Sequence, residues 1–119
     1  MHQMRLYDDP FSRIKSGEKT IELRLNDEKR RDVKVGDKIT FTNIDTGEQV
    51  VTKCKALYTA DSFVELFKIL KNNEKMGFKH KESPENMSEQ MREYYSIENE
   101  EKYGVVGIEI EVVLEKQFK

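Results

Sequence analysis

Lysine, glutamate and arginine fall close together in the stretch Gly17-Glu18-Lys19-Thr20-Ile21-Glu22-Leu23-Arg24, and their spacing sets what they can do. From Thr20 to Leu25 polar and apolar residues alternate, the period of a strand with one apolar side. Ile21, Leu23 and Leu25 share one face; Thr20, Glu22 and Arg24 share the other. One face is expected to build core, the other to carry charge or function. A carboxylate and a guanidinium two residues apart on a strand face lie roughly 6–7 Å apart at the backbone, within reach of each other or of a polar ligand held between them. Lys19, at the mouth of this strand, has three readings: a surface lysine, a point charge for an anion, or a catalytic amine. Paired with Glu22 it would stay charged and suit an oxyanion or phosphate; desolvated without a partner it would serve as base or nucleophile. Glu22 and Arg24 either form a plain surface ion pair or act on a ligand. In the second case the guanidinium offers a planar fork to a phosphate, carboxylate or base edge, and the carboxylate accepts from an exocyclic amine or a water. As a general base, Glu22 would need burial.

The neighbouring elements must position these groups. Asp8-Asp9-Pro10 reads as a capped helix start with proline at the first helical position, and the helix runs to about Ser16 with Phe11 and Ile14 inward. Gly17 supplies a left-handed stop. The charge-dense segment from Asn26 to Asp32 contains no apolar residue and is expected to be a solvated loop, although Lys29, Arg30 and Arg31 are the types that grip a phosphate backbone. Lys34-Val35-Gly36-Asp37 turns into a second strand with Ile39 and Phe41 inward. Asp45-Thr46-Gly47 returns the chain into a third, from about Glu48 to Tyr58, with Val50, Thr52, Cys54 and Ala56 on its buried face. Ser62-Phe63-Val64-Glu65 is a capping box opening a helix with the stripe Phe63, Leu66, Phe67 and Leu70. After a loop over 72–81 that contains Phe78, Ser83-Pro84 starts a helix carrying Met87, Met91 and one of Tyr94 and Tyr95 inward. Ser96 caps a short turn through Tyr103, ended by Gly104. The last strand, from Val105 to about Leu114, alternates strongly and is expected to pair centrally in the sheet, ahead of a frayed tail. Amphipathic strands with helices inserted between them give an α+β fold, a curled or closed antiparallel-rich sheet with helices around it.

A chain of 119 residues is expected to form one domain over 1–119. Charged residues make up 37% and hydrophobic ones 36%, which predicts a thin core under a charged surface. The net charge of −2 excludes a global basic field, so any nucleic-acid contact must use a local patch. Cys54 has no partner for an internal disulfide and reads as a core thiol. The absence of a long apolar run or a signal-like N-terminus points to a cytoplasmic protein with no membrane partner. His2 and His80 stand alone, and no glycine-rich phosphate loop, serine elbow or zinc spacing occurs, so neither metal nor cofactor is expected.

Gly17, Lys19, Glu22 and Arg24 together spell Gly-x-Lys-x-x-Glu-x-Arg, which resembles the signature of the ASCH family, a relative of the PUA-like RNA-binding domains. Met4-Arg5-Leu6-Tyr7 with Pro10-Phe11, Ile14-Lys15-Ser16-Gly17, Lys34-Val35-Gly36-Asp37 and Tyr103-Gly104-Val105-Val106-Gly107-Ile108 fall where that family places them. The resemblance, to the small bacterial single-domain type, covers nearly the whole chain. It implies a PUA-like small β-barrel with helices packed around it. The first helix and the signature strand would border a cleft walled by the helical insert before the last strand. It further implies an RNA, nucleotide or nucleoside ligand at the motif, where Lys19, Glu22 and Arg24, with Thr20 beside them, are the expected contacts. Aromatic residues close to a charged cleft stack bases: Tyr103, next to Gly104, is the favoured one, and Tyr94, Tyr95 and Phe78 are further candidates. One branch resembles an amidohydrolase of N4-acetylcytidine that uses the motif lysine, a threonine three residues later and a distant glutamate. Lys19 matches, but Glu22 stands at the threonine position. The alternative function is therefore metal-independent hydrolysis of a modified nucleoside or of RNA, with Lys19 and Glu22 as catalytic residues; a protein-interaction module is the third.

Overall fold

Period-two alternation builds five strands, β1 (His2–Leu6), β2 (Ile21–Leu25), β3 (Lys38–Asn43), β4 (Gln49–Ala60) and β5 (Val105–Val112). They join in one sheet of order β1-β3-β4-β5-β2. The β1–β3 pair is parallel; the other pairs are antiparallel. The helices are α1 (Asp8–Lys15), α2 (Glu28–Arg31), α3 (Phe63–Lys71), α4 (Pro84–Gln90) and α5 (Ile97–Tyr103), with a 3₁₀ turn over Met91–Glu93. The computed structural model describes residues 2–71 and 83–113, so Phe78, His80, the loop expected over 72–81, Leu114 and the tail lie outside the described residues. The fold is α+β, as expected, with the sheet curled into a half-barrel.

Both faces of the sheet are covered. Opposite residues of an antiparallel pair point to the same side, so the register sorts β2 cleanly. Ile21, Leu23 and Leu25 oppose Glu109, Gly107 and Val105, on the face covered by Phe63, Leu66 and Leu70 of α3 and Met87 of α4. Glu22 and Arg24 oppose Ile108 and Val106, on the face that carries the larger core and is sealed by Phe11 and Ile14 of α1. The polar side of β2 is thus not a solvent face. Gly107 has a packing reason: a Cβ there would sit 3.4 Å from Ile21 Cγ2 and 3.6 Å from Leu66 Cδ1, where α3 lies on the sheet. β5 has strand neighbours on both sides, as expected of a central strand.

Three local expectations need correction. First, α1 begins at Asp8 with Tyr7 as its N-cap, so Pro10 is its third residue and no cap bond comes from the Tyr7 side chain. The orphan amide of Asp8 is met instead by Asp45 Oδ2 at 3.1 Å, from the β3–β4 turn. Second, the charged segment after β2 is not a plain loop. Asp27 accepts from the Arg30 amide and starts the short helix α2, a cap that needs no apolar residue. Third, β4 carries a bulge between Cys54 and Ala56. One extra residue reverses the side-chain parity. Cys54 opposes Ile110 in the larger core, whereas Ala56 opposes Glu109 on the other face and Leu57 continues the core side. Burial pushes the Cys54 thiol upward, and the nearby Asp37 charge adds to this.

His2 Nε2 lies 2.8 Å from Asp37 Oδ2, which also accepts from the Lys34 amide at 3.0 Å. These bonds hold the Asp37 carboxyl below its ordinary value of 3.8. A lowered folded-state value stabilises the native chain above the unfolded pKa, and that share is lost as pH falls through the folded value. Asp37→Asn is therefore expected to be less stable than wild type at neutral pH, the gap closing under acid. Denaturant melts of both proteins across an acid pH series check this; a gap that widens below the ordinary carboxylate range would contradict it.

Candidate functional site

β1 and β2 are the two edge strands, and the curl of the sheet brings them within side-chain reach. Arg24 Nη2 donates to the Arg5 carbonyl at 3.0 Å, a bridge across the open seam of the half-barrel. The same guanidinium grips Glu22, with Nε 2.8 Å and Nη2 2.7 Å from Oε2. The other carboxylate oxygen, Oε1, lies 3.0 Å from Lys19 Nζ. The sequence reading of a Lys19–Glu22–Arg24 cluster is thus realised as a linear triad with the carboxylate in the middle. Glu22 is only 4% exposed, and the side chains of Lys19 and Arg24 are 23% and 15% exposed.

Local structure explains how Lys19 reaches this position. Gly17 takes φ +85°, a region disfavoured for residues with a Cβ, and its amide bonds back to Ile14 at 3.0 Å. The Lys19 amide then returns to the Arg13 carbonyl at 2.9 Å, so the end of α1 and the start of β2 are tied together. The motif glycine is the hinge that turns Lys19 toward Glu22.

The triad lies at one side of a cavity of about 690 Å³. Its other walls come from the end of β1 (Arg5, Leu6, Tyr7), from α1 (Asp9, Pro10, Arg13), from Ile44, and from Met91, Glu93, Tyr94 and Tyr95. Four basic and three acidic side chains line it, a net charge of +1. Tyr7, Ile44 and Tyr94 are exposed there, Tyr94 by 61%, and form an apolar and aromatic mouth around a charged floor. Tyr95 is the inner of the two adjacent tyrosines: its ring stacks on Phe63 with centroids 5.6 Å apart and an interplanar angle of 25°. Burial pushes the Tyr95 phenol upward; the Arg24 charge opposes this and the Glu22 charge adds to it, which places the ring within the field of the triad.

Two sequence candidates do not line the cavity. Thr20 does not line the cavity; its carbonyl accepts from Ile110 at 2.8 Å and extends the β2–β5 pairing. Tyr103, favoured from its place before Gly104, faces a separate groove with Asn26, Arg31 and Lys102. Lys102 Nζ stands 5.1 Å from its ring centroid, and its carbonyl accepts from Arg31 at 3.1 Å. The antiparallel register explains the separation: Val105, just after Tyr103 and Gly104, opposes the far end of β2 at Leu25, while Glu22 opposes Ile108. Conversely, Arg5, Tyr7, Arg13 and Ile44 line the cavity with little in the sequence to mark them as site residues. Arg5 and Tyr7 alternate with the buried Met4 and Leu6, a weak sign of a second polar strand face; Ile44 follows a strand end and gives no sequence signal.

The family model of the ASCH domain matches residues 4–114. The chain belongs to the ASCH family, within the PUA-like superfamily. Two solved structures share the fold of this ASCH domain. One is the crystal structure of a hypothetical protein named PH0355, 37% identical, with 93% of this chain and 97% of that chain covered at a TM-score of 0.76. The other, protein PF0455 from Pyrococcus furiosus, was solved by solution NMR and is 36% identical, with 94% and 96% covered at a TM-score of 0.67. No curated protein matches the chain. Among the described residues of this ASCH domain no helix is long and apolar enough to cross a membrane, and no group of three or more histidine, cysteine or acidic side chains is placed to hold a metal ion.

Proposed function

We propose that the domain binds RNA, or a nucleotide-like part of it, in the seam cleft, with Lys19 and Glu22 meeting the ligand and Arg24 holding Glu22 in place. One observation carries the reading: a charged triad recessed beneath an aromatic mouth, in a cavity of about 690 Å³. The ASCH family is generally RNA-binding, which points the same way. A carboxylate only 4% exposed is reached by a group that projects into the cavity. A base paired and stacked inside a duplex does not project, whereas an unpaired base or a strand end does. Tyr7 and Tyr94 supply stacking surface at the mouth, and the small positive excess of the lining suits few phosphates rather than a long backbone track.

The geometry also favours binding over hydrolysis. Oε2 of Glu22 takes both Arg24 donors while Oε1 faces Lys19 and keeps a lone pair for a donor on the ligand, and Arg24 spends its fork on Glu22 and Arg5 rather than on a ligand phosphate. Lys19 retains N–H donors beyond the one facing Glu22. Lys19→Ala is expected to weaken binding of a labelled, short single-stranded RNA by roughly tenfold or more, as loss of a hydrogen bond from a charged donor does. Fluorescence anisotropy measures it, with a melting curve to show the variant folded. Unchanged affinity, or equal affinity for the same sequence as duplex, would overturn the proposal. Incubated N4-acetylcytidine is expected to remain intact; lysine-dependent product would establish the hydrolase instead.

A further inference from the structure

Behind the cleft, outside its lining, a second charged pair joins a buried carboxylate to a half-buried guanidinium. Glu100 on α5 is 3% exposed and its carboxylate pairs with the Arg92 guanidinium. Its Oε1 also accepts from the Phe63 amide at 2.5 Å, capping the first turn of α3. Ser62 Oγ accepts from the Glu65 amide at 3.2 Å, while the Glu65 carboxylate turns to Lys68 rather than back to Ser62; the Phe63 amide is served by Glu100, from 37 residues away. Arg92 Nη1 reaches the Tyr95 carbonyl at 3.4 Å, and the Tyr95 ring stacks on Phe63. Phe63, Tyr95, Arg92 and Glu100 therefore close a ring of contacts that runs through backbone and side chains of α3, α5 and the segment between α4 and α5.

This arrangement is a poor device for stability alone. A buried ion pair loses much of its attraction to desolvation and is commonly no better than an apolar pair of the same size. Arg92 Nε, moreover, is buried without a hydrogen-bond partner among the described residues. What the pair does supply is direction. A carboxylate and a guanidinium meet in few orientations, and Arg92 lies three residues before Tyr95, in the 3₁₀ turn that contributes Met91 and Glu93 to the cleft wall.

We infer that the Arg92–Glu100 pair is a positioning brace that sets the tyrosine wall of the cleft against Lys19 and Glu22, and so governs ligand affinity without touching ligand. The inference rests on the binding function proposed above. It separates from a merely structural role through the double substitution Arg92→Met with Glu100→Gln. Glutamine keeps an acceptor for the Phe63 amide and methionine fills the guanidinium stem, so no charge is left stranded.

The double variant is expected to melt near wild type. Its affinity for the short single-stranded RNA should fall roughly tenfold, about the loss of one base–aromatic stacking contact. The Tyr95 ring proton resonances, shifted in wild type by the Phe63 ring, should move toward unstacked values. Wild-type affinity in a folded double variant would overturn the brace, as would an unmoved Tyr95 resonance. If wild type itself binds no RNA, the binding function fails and takes the effect on affinity with it; an unmoved Tyr95 resonance in a wild type that does bind RNA overturns the brace alone.

Discussion

A Glu22→Ala variant is expected to lose about 3 kcal/mol of stability, because removing the middle of a buried triad leaves its two cations facing each other. Lys19 Nζ and the Arg24 guanidinium are both within 3.0 Å of this carboxylate and both are mostly buried. The alanine also frees Arg24, whose bond to the Arg5 carbonyl joins the edge strands across the seam. Urea denaturation should show a lower midpoint. A second change, Arg24→Met, should restore part of the loss by removing one stranded charge, since apolar replacement of a buried pair is often close to neutral. If Glu22→Ala melted like wild type, the triad would be a surface feature and its burial functionally empty.

Phe63→Ala is expected to cost about 3–5 kcal/mol, on the order of 15 °C in melting temperature for a chain of this size. Phe63 is fully buried, lies 6.3 Å from Phe67 by ring centroids, and backs the Tyr95 ring. Its loss opens a void between α3 and the cleft wall, so affinity for single-stranded RNA should fall together with stability. Phe67→Leu, which trims volume but leaves the Phe63 and Tyr95 rings themselves in place, should cost less stability and leave binding intact. Calorimetry and anisotropy on the two variants check this, and equal effects on binding would show that the Phe63–Tyr95 stack does not shape the cleft.

The curled sheet explains why charge can be buried in so small a fold. At an ordinary exposed edge, Glu22 and Arg24 would form a solvated pair contributing little. Here β2 is an edge strand whose polar side turns toward the other edge strand, with α1 on that face and the Met91–Tyr95 segment across the cavity. The open seam is therefore both the place where strand pairing stops and the place where side chains, Arg24 above all, take over the bonding.

Much of this was legible from residues alone because the signals are local. The left-handed Gly17, the Ser83 and Ser96 caps, the alternation in β2, β3 and β5, and the apolar stripe of α3 each depend on a few neighbouring residues. The clustering of Lys19, Glu22 and Arg24 follows from the same short-range geometry, since a strand fixes which side chains share a face. Adjacent positions such as Tyr94 and Tyr95 must split into one inward and one outward side chain; which of them turns inward is set by the Phe63 ring.

What tertiary structure alone decided are contacts between residues far apart in the chain. Nothing near Arg24 announces that its partner is the Arg5 carbonyl, or that the orphan amide of α3 is met by Glu100. The bulge in β4 moved Ala56 off the Cys54 face, and the register of β5 on β2 carried Tyr103 to another groove. Sequence spacing determines which face a side chain occupies; register and curl determine what that face meets, because those are fixed by packing over the whole sheet rather than by any local stretch.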